Sequence, residues 1–198
     1  MRVFIALELP SVIKEAAAAI QRELMKSEAH VGWARTDGMH LTLKFLGEVS
    51  ASQLSEIEKA LESAVKGLPP PAGRTGAGQA GTGSMKITVR GIGVFPNPRN
   101  PRVVWLGIQP EDDRLLRLQE RIDRALAPLG FPPERRDFRP HLTLGRVKSS
   151  RGLDDLMKVM AVHHHFLAGE CTLGELHLMQ SELKREGAVY TKLWSVAL

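Results

Sequence analysis

The sequence predicts an α+β fold: two pseudo-twofold-related lobes around a central cleft, each lobe an antiparallel sheet with helices on its outer face. Three observations carry this expectation. The tetrapeptide His-Leu-Thr-Leu stands at 40–43 and again at 141–144. The order strand, helix, HLTL strand, helix, strand runs through the chain twice, so the similarity extends from four letters to type and order, the mark of an internal duplication. Apolar residues also alternate between a period near 2 and a period near 3.6, which separates strands from amphipathic helices. The chain therefore reads as a single domain, 1–198, made of two halves at approximately 1–95 and 100–198.

The first strand is "VFIALEL" (3–9), ended by Pro10. Val12, Ile13, Ala16, Ala17, Ile20 and Leu24 then follow helical spacing and predict a helix over about 11–26. An extended segment through Trp33 leads to the strand "HLTLKFL". Ser50 with Gln53 three residues on has the form of a capping box, and Leu54, Ile57, Leu61 and Val65 give the apolar stripe of a second helix. A strand at 85–95, "MKITVRGIGVF", closes this half. Before it, "LPPPAGRTGAGQAGTGS" (68–84) is rich in Gly and Pro and reads as a mobile surface loop. Its "GAGQAG" (76–81) has the spacing of a dinucleotide fingerprint, but no strand runs into it and no helix follows, so that reading fails.

The second half opens with the strand "RVVWLGIQP" (102–110), and Leu115, Leu118, Ile122, Ala125 and Leu129 stripe the helix after it. The strand "HLTLGRV" and a helix over "GLDDLMKVMAV" follow. "CTLGELHLMQ" (171–180) and "AVYTKLWSVAL" (188–198) read as two last strands around the turn-like "KREG". Trp33, Trp105 and Trp194 are expected in the core, His177 on a strand in or near it, and His30 in a loop. The run His163-His164-His165 invites a metal reading, but neighbouring histidines on a regular element cannot all turn to one ion, and a solvated helix end or turn is expected instead.

Bulk properties narrow the function classes. At 198 residues, 43% hydrophobic and 25% charged, the composition is that of an ordinary globular domain. A formal net charge of +5 favours an anionic partner, nucleic acid or nucleotide ahead of membrane, since no basic amphipathic helix stands out. One cysteine, Cys171, expected as a small buried residue at a strand start, excludes an internal disulfide framework and a cysteine zinc cluster. The N-terminus reads as a strand, not a signal peptide, and nowhere is there the run of roughly 18 apolar residues that a membrane span needs. A cytoplasmic monomer without membrane association is expected.

On a strand, residues two apart share a face, so His40 and Thr42 point one way over Leu41 and Leu43, and His141 with Thr143 does the same over Leu142 and Leu144. A single His beside a Thr is most often a hydrogen-bonded filler. Two such pairs at corresponding places in two matching halves can converge across a shared cleft. Two imidazoles with pKa values of about 6.5 offer an acid and a base near neutral pH, each worth on the order of 10²–10⁴-fold. Threonine hydroxyls suit the nonbridging oxygens of a phosphate, and Arg135, Arg136, Arg139 and Arg146 favour a phosphodiester. Arg139 shares the face of His141 by alternation and is a candidate phosphate contact. This inventory requires neither metal nor cofactor.

At these residues the sequence resembles the 2H phosphoesterase superfamily, named for two H-x-[ST] motifs, and in particular the bacterial and archaeal RNA 2',3'-cyclic phosphodiesterases, historically called 2'-5' RNA ligases. The resemblance runs through "RVFIALELP", "HLTLKFLGEV", "GVFPNPRNPRVVWLGI", "RPHLTLGRVK" and "SELKREGAVYTKL". It implies that His40 is the proton donor to the leaving ribose oxygen and His141 the proton acceptor that activates water, with a 2'-phosphate end as product. It further implies that Thr42 and Thr143 hold the phosphate, that Phe45 contacts the nucleoside, and that Arg146 contacts the phosphate or terminal nucleotide. Strict alternation turns positions 45 and 146 away from their histidines; a bulge or bend, easiest at Gly145 in the second motif, would bring them back. The substrate so implied is RNA with a 2',3'-cyclic phosphate end, with 2'-5' ligation as the reverse direction. A small cyclic nucleotide as substrate, or a noncatalytic RNA-end binder, are the alternatives.

Overall fold

The computed structural model describes residues 1–69, 83–184 and 187–198. In chain order the elements are β1 (Arg2–Glu8), α1 (Ser11–Met25), β2 (Val31–Trp33), β3 (His40–Glu48), α2 (Leu54–Lys66), β4 (Met85–Phe95) and β5 (Val103–Pro110). They continue with α3 (Arg114–Leu126), β6 (His141–Val147), α4 (Leu153–Val162), β7 (Leu167–Leu173), β8 (Glu175–Lys184) and β9 (Gly187–Ala197). Most of the 68–84 segment, including 76–81, and residues 185–186 of the "KREG" turn lie outside the described residues.

Among the described residues nine strands form one antiparallel sheet, ordered β7-β4-β5-β6-β3-β1-β8-β9, with β2 on β6. Its middle is thin: β3 and β6 meet in register at Leu41 and Leu142. Either side of that seam lies one lobe, β1, β3, β8 and β9 against β4, β5, β6 and β7.

The lobes are not the two sequence halves. β4 does not close the first half; it pairs with β5, while β8 pairs with β1. The repeated order of elements is real, but its last strand is exchanged between the copies. The helices cross over in the same way. α1 rests on β7 and its Gln21 Nε2 donates to the Leu144 carbonyl of β6, whereas α3 rests on β3. Periodicity fixes which elements exist and which face is apolar; it carries no information on which neighbouring edge a strand will join.

Three smaller expectations also change. The single strand expected at 171–180 is two strands broken at Gly174, because β7 belongs to one lobe and β8 to the other. Cys171 is half-buried within β7, opposite Ile87, and not at a strand start. Trp33 and Trp194 pack against the core, but Trp105 lies outside the core cluster. The expected helix cap is present: the Ser50 backbone N–H donates to the Gln53 side chain at 3.1 Å, capping a 3-10 turn that leads into α2.

One hydrophobic core runs under the whole sheet, joining Val3, Ile5 and Leu7 of β1 to the inward faces of the helices, such as Ile13, Ile20 and Leu24 of α1. Leu41, Leu43, Leu142 and Leu144 belong to it, so the helices cover one face of the sheet and the His/Thr face is left open. No helix among the described residues is long and apolar enough to cross a membrane.

Candidate active site

The antiparallel pair Leu41 and Leu142 sets the geometry of the seam. Both leucines are fully buried. Alternation about them turns His40, Thr42, His141 and Thr143 together onto the open face, His40 toward Thr143 and Thr42 toward His141. Neither strand alternates for long. Ile5 and Ala6 of β1 oppose Lys44 and Thr42, so Leu43 is an extra residue in β3; Val104 and Trp105 of β5 oppose Gly145 and Thr143, so Leu144 is extra in β6. Each bulge puts two consecutive residues inward, Leu43-Lys44 and Leu144-Gly145, and returns Phe45 and Arg146 to the open side, where both are exposed. The backbone thus removes the conflict between alternation and the two implied contacts, through bulges at corresponding places. Gly145 suits its site because a Cβ there would lie 2.6 Å from Val31 Cγ1.

Both imidazoles are held by the carbonyl two residues upstream. His141 Nδ1 donates to the Arg139 carbonyl at 2.6 Å, which leaves Nε2 of the neutral ring as the acceptor. The Gly38 carbonyl plays this part for His40. Aromatic rings flank both. Phe4 stacks on His40 at 4.6 Å and Tyr190 meets it edge-on at 5.0 Å, while Phe95 meets His141 edge-on at 5.0 Å and itself packs on Trp105. Phe4 also lies 5.7 Å from Phe45, tying that ring to the His40 side.

Burial lowers both titrations. His40 is pushed down to about 4 mainly by desolvation, with Lys14 adding to the effect and the Gly38 carbonyl and Glu8 opposing it. His141 is also lowered by burial, with the Arg139 carbonyl opposing and Arg146 adding. The charge of Arg146 is therefore felt at His141, in keeping with a shared face.

Two bays open from the seam. One, of about 270 Å³, lies beyond His40 and includes Glu8, Lys14, Asp37, Tyr190 and Lys192, with Glu8 bridging both lysines at 3.1 and 3.3 Å. The other, of about 330 Å³, lies beside His141 and includes Arg90, Phe95, Trp105 and Arg139. Arg135 and Arg136 are exposed. His163–His165 form the turn after α4, with the rings of His164 and His165 3.6 Å apart. His177 is buried on β8, as expected, with its Nδ1 lacking a partner among the described residues. Phe4, Tyr190, Phe95 and Trp105 escaped sequence reasoning because their approach to the histidines depends on strand register.

A curled α+β sheet whose two central strands each present a His-x-Thr pair to one cleft defines the class of the 2H phosphoesterases. The chain belongs to the 2'-5' RNA ligase superfamily, whose family model matches residues 9–185. It is 34% identical over 193 residues to the RNA 2',3'-cyclic phosphodiesterase of Methanothermobacter thermautotrophicus, covering 98% of this chain and 96% of that protein. It is likewise 34% identical over 194 residues to the protein of the same name from Thermotoga maritima, covering 98% and 94%. The structure of E. coli LigT complexed with 3'-AMP superposes with a TM-score of 0.73 at 29% identity, covering all of this chain and 97% of that one.

Proposed function

We propose that this enzyme hydrolyses the 2',3'-cyclic phosphate ends of RNA to 2'-phosphate ends, with His40 as the acid that protonates the departing 3'-oxygen and His141 as the base that activates water. The observation that carries the reading is the convergence of two His/Thr pairs on one open face at the seam. The Arg139 carbonyl fixes the His141 tautomer so that Nε2 can accept a proton. Thr42, Thr143, Arg139 and Arg146 hold the phosphate, and Phe45 the terminal nucleoside. Attack by a 5'-hydroxyl in place of water gives 2'-5' ligation by the same residues. The family relatives named for RNA 2',3'-cyclic phosphodiesterase activity support the substrate class. We place the enzyme in the cytoplasm as a monomer without cofactor, consistent with its single cysteine; a dimeric mass in sedimentation would refute the monomer.

The test is incubation of the protein with a short RNA ending in a 2',3'-cyclic phosphate, in excess EDTA. A product heavier by one water that loses phosphate to phosphatase and carries its phosphate on the 2'-oxygen is expected. An intact end, or turnover abolished by EDTA, would reject the reading. If only a cyclic mononucleotide is opened, the small-nucleotide alternative holds.

The lowered histidines give a second expectation. In the empty site His40 near 4 is almost wholly neutral at pH 7, so its role as acid requires a proton taken up with the substrate, whose anion raises the ring's pKa. kcat/KM reports the free protein and kcat the complex. The alkaline limb of kcat should therefore lie at higher pH than that of kcat/KM. Superimposable limbs would contradict this account.

A further inference from the structure

We infer that the bay beside His141 is a subsite for a second nucleotide, holding a nucleobase against Phe95 and Trp105 and a phosphodiester on Arg90. The inference rests on the function proposed above and deepens it, since a site for two nucleotides selects an RNA end over a cyclic mononucleotide.

The surface of the bay is built for a flat ring. Trp105 opposes Gly93 on β4 and Thr143 on β6, so it shares the face of the catalytic pairs. A Cβ at Gly93 would lie 2.2, 2.4 and 2.8 Å from Cζ2, Cη2 and Cε2 of Trp105. Three contiguous ring atoms at such similar distances place the indole flat over the backbone, where only glycine leaves room for it. Gly107 directly opposes His141 and adds bare backbone at its side. Phe95 packs on the indole at 5.0 Å and reaches His141 with its edge. Trp105 stands outside the hydrophobic core, so core packing does not account for it.

Charge separates this bay from its counterpart. No carboxylate lines it, and Arg90 and Arg139 make no ion pair among the described residues. The bay beyond His40 instead carries Glu8 and Asp37 beside its two lysines. An anion is thus favoured on the His141 side, where guanidinium groups suit a phosphodiester and stacked rings suit a base.

Two nucleotides have this chemistry. One precedes the cyclic end in the same strand. The other begins a 5'-hydroxyl strand standing where water would attack; there the 5'-oxygen bonds to phosphorus as the bond to the 3'-oxygen breaks, His141 takes the hydroxyl proton and His40 supplies one to the 3'-oxygen.

The probes are 3'-AMP, ApAp, in which the extra nucleotide precedes the terminal one, and a 2'-5'-linked diadenosine phosphate with hydrogen for its 3'-hydroxyl, so that it cannot be cleaved. Each is titrated calorimetrically into wild type, Trp105→Ala and Arg90→Gln. One dinucleotide should bind about tenfold tighter than 3'-AMP, and Trp105→Ala should remove that gain while 3'-AMP binds as in wild type. If the gain is with ApAp, whose internal phosphodiester meets Arg90, Arg90→Gln should remove it too. A gain with ApAp assigns the bay to the preceding nucleotide, and a gain with the 2'-5' compound to the attacking strand. No gain with either, or a gain that survives Trp105→Ala, overturns the subsite. Failure of the hydrolase reading shows separately, as absent turnover of cyclic-ended RNA by wild type.

Discussion

Replacing His40 or His141 by Ala is expected to lower turnover of cyclic-ended RNA by a factor on the order of 10²–10⁴ each, with a folded protein left behind. Neither ring belongs to the hydrophobic core cluster, and each contacts the protein mainly through one backbone carbonyl and its aromatic neighbours. If the two act as a unit, the double variant should be little worse than either single one, because a base without its acid leaves the same step unassisted. Residual pH dependence distinguishes the roles. Losing the acid should remove the alkaline limb, and losing the base the acidic limb. The opposite pattern would exchange the assignments of His40 and His141, and undiminished hydrolysis in either variant would end them.

The second large effect concerns stability. Lys44, the inward residue of the β3 bulge, is 2% exposed, and its Nζ bonds the Asp123 carboxylate of α3 and the Pro132 carbonyl. Asp123 also accepts from Gln119 Nε2 at 2.9 Å. Lys44→Met would leave a mostly buried carboxylate without its cation, a defect that costs about 3–5 kcal/mol. The urea midpoint should fall by that equivalent at unchanged slope, and Asp123→Asn in the same chain should recover part of it. A loss below about 1 kcal/mol would mean that the pair behaves as a solvated one.

Lys44 also shows where sequence reading stops. The face shared by His40, Thr42, His141 and Thr143 follows from period-2 alternation, and the Ser50–Gln53 cap from residue types three apart; both are local. A bulge is not local, since it exists only relative to the strand opposite, and so the inward turn of Lys44 and the outward turns of Phe45 and Arg146 needed β1 and β5 in place. The same holds for Phe4, Tyr190, Phe95 and Trp105, which reach the histidines across strand pairs. The break between β7 and β8 did leave a trace: Leu173 and Leu176, both buried, are three apart, a spacing that a regularly alternating strand with one buried face does not give.

The exchange of strands between the lobes bears on how the chain is made. β1 is flanked by β3 and β8, and β8 in turn by β9, and both β8 and β9 lie far from β1 in the chain. One side of β1 therefore waits until Glu175–Lys184 has been synthesised. A nascent chain that has reached only Phe95 holds β4 without β5, an unpaired edge with no partner yet in existence. Such long-range pairing makes folding slow and leaves edges exposed while it lasts. The seam that brings the two His/Thr pairs together needs β6, so an amino-terminal stretch that ends before His141 lacks one of the two pairs.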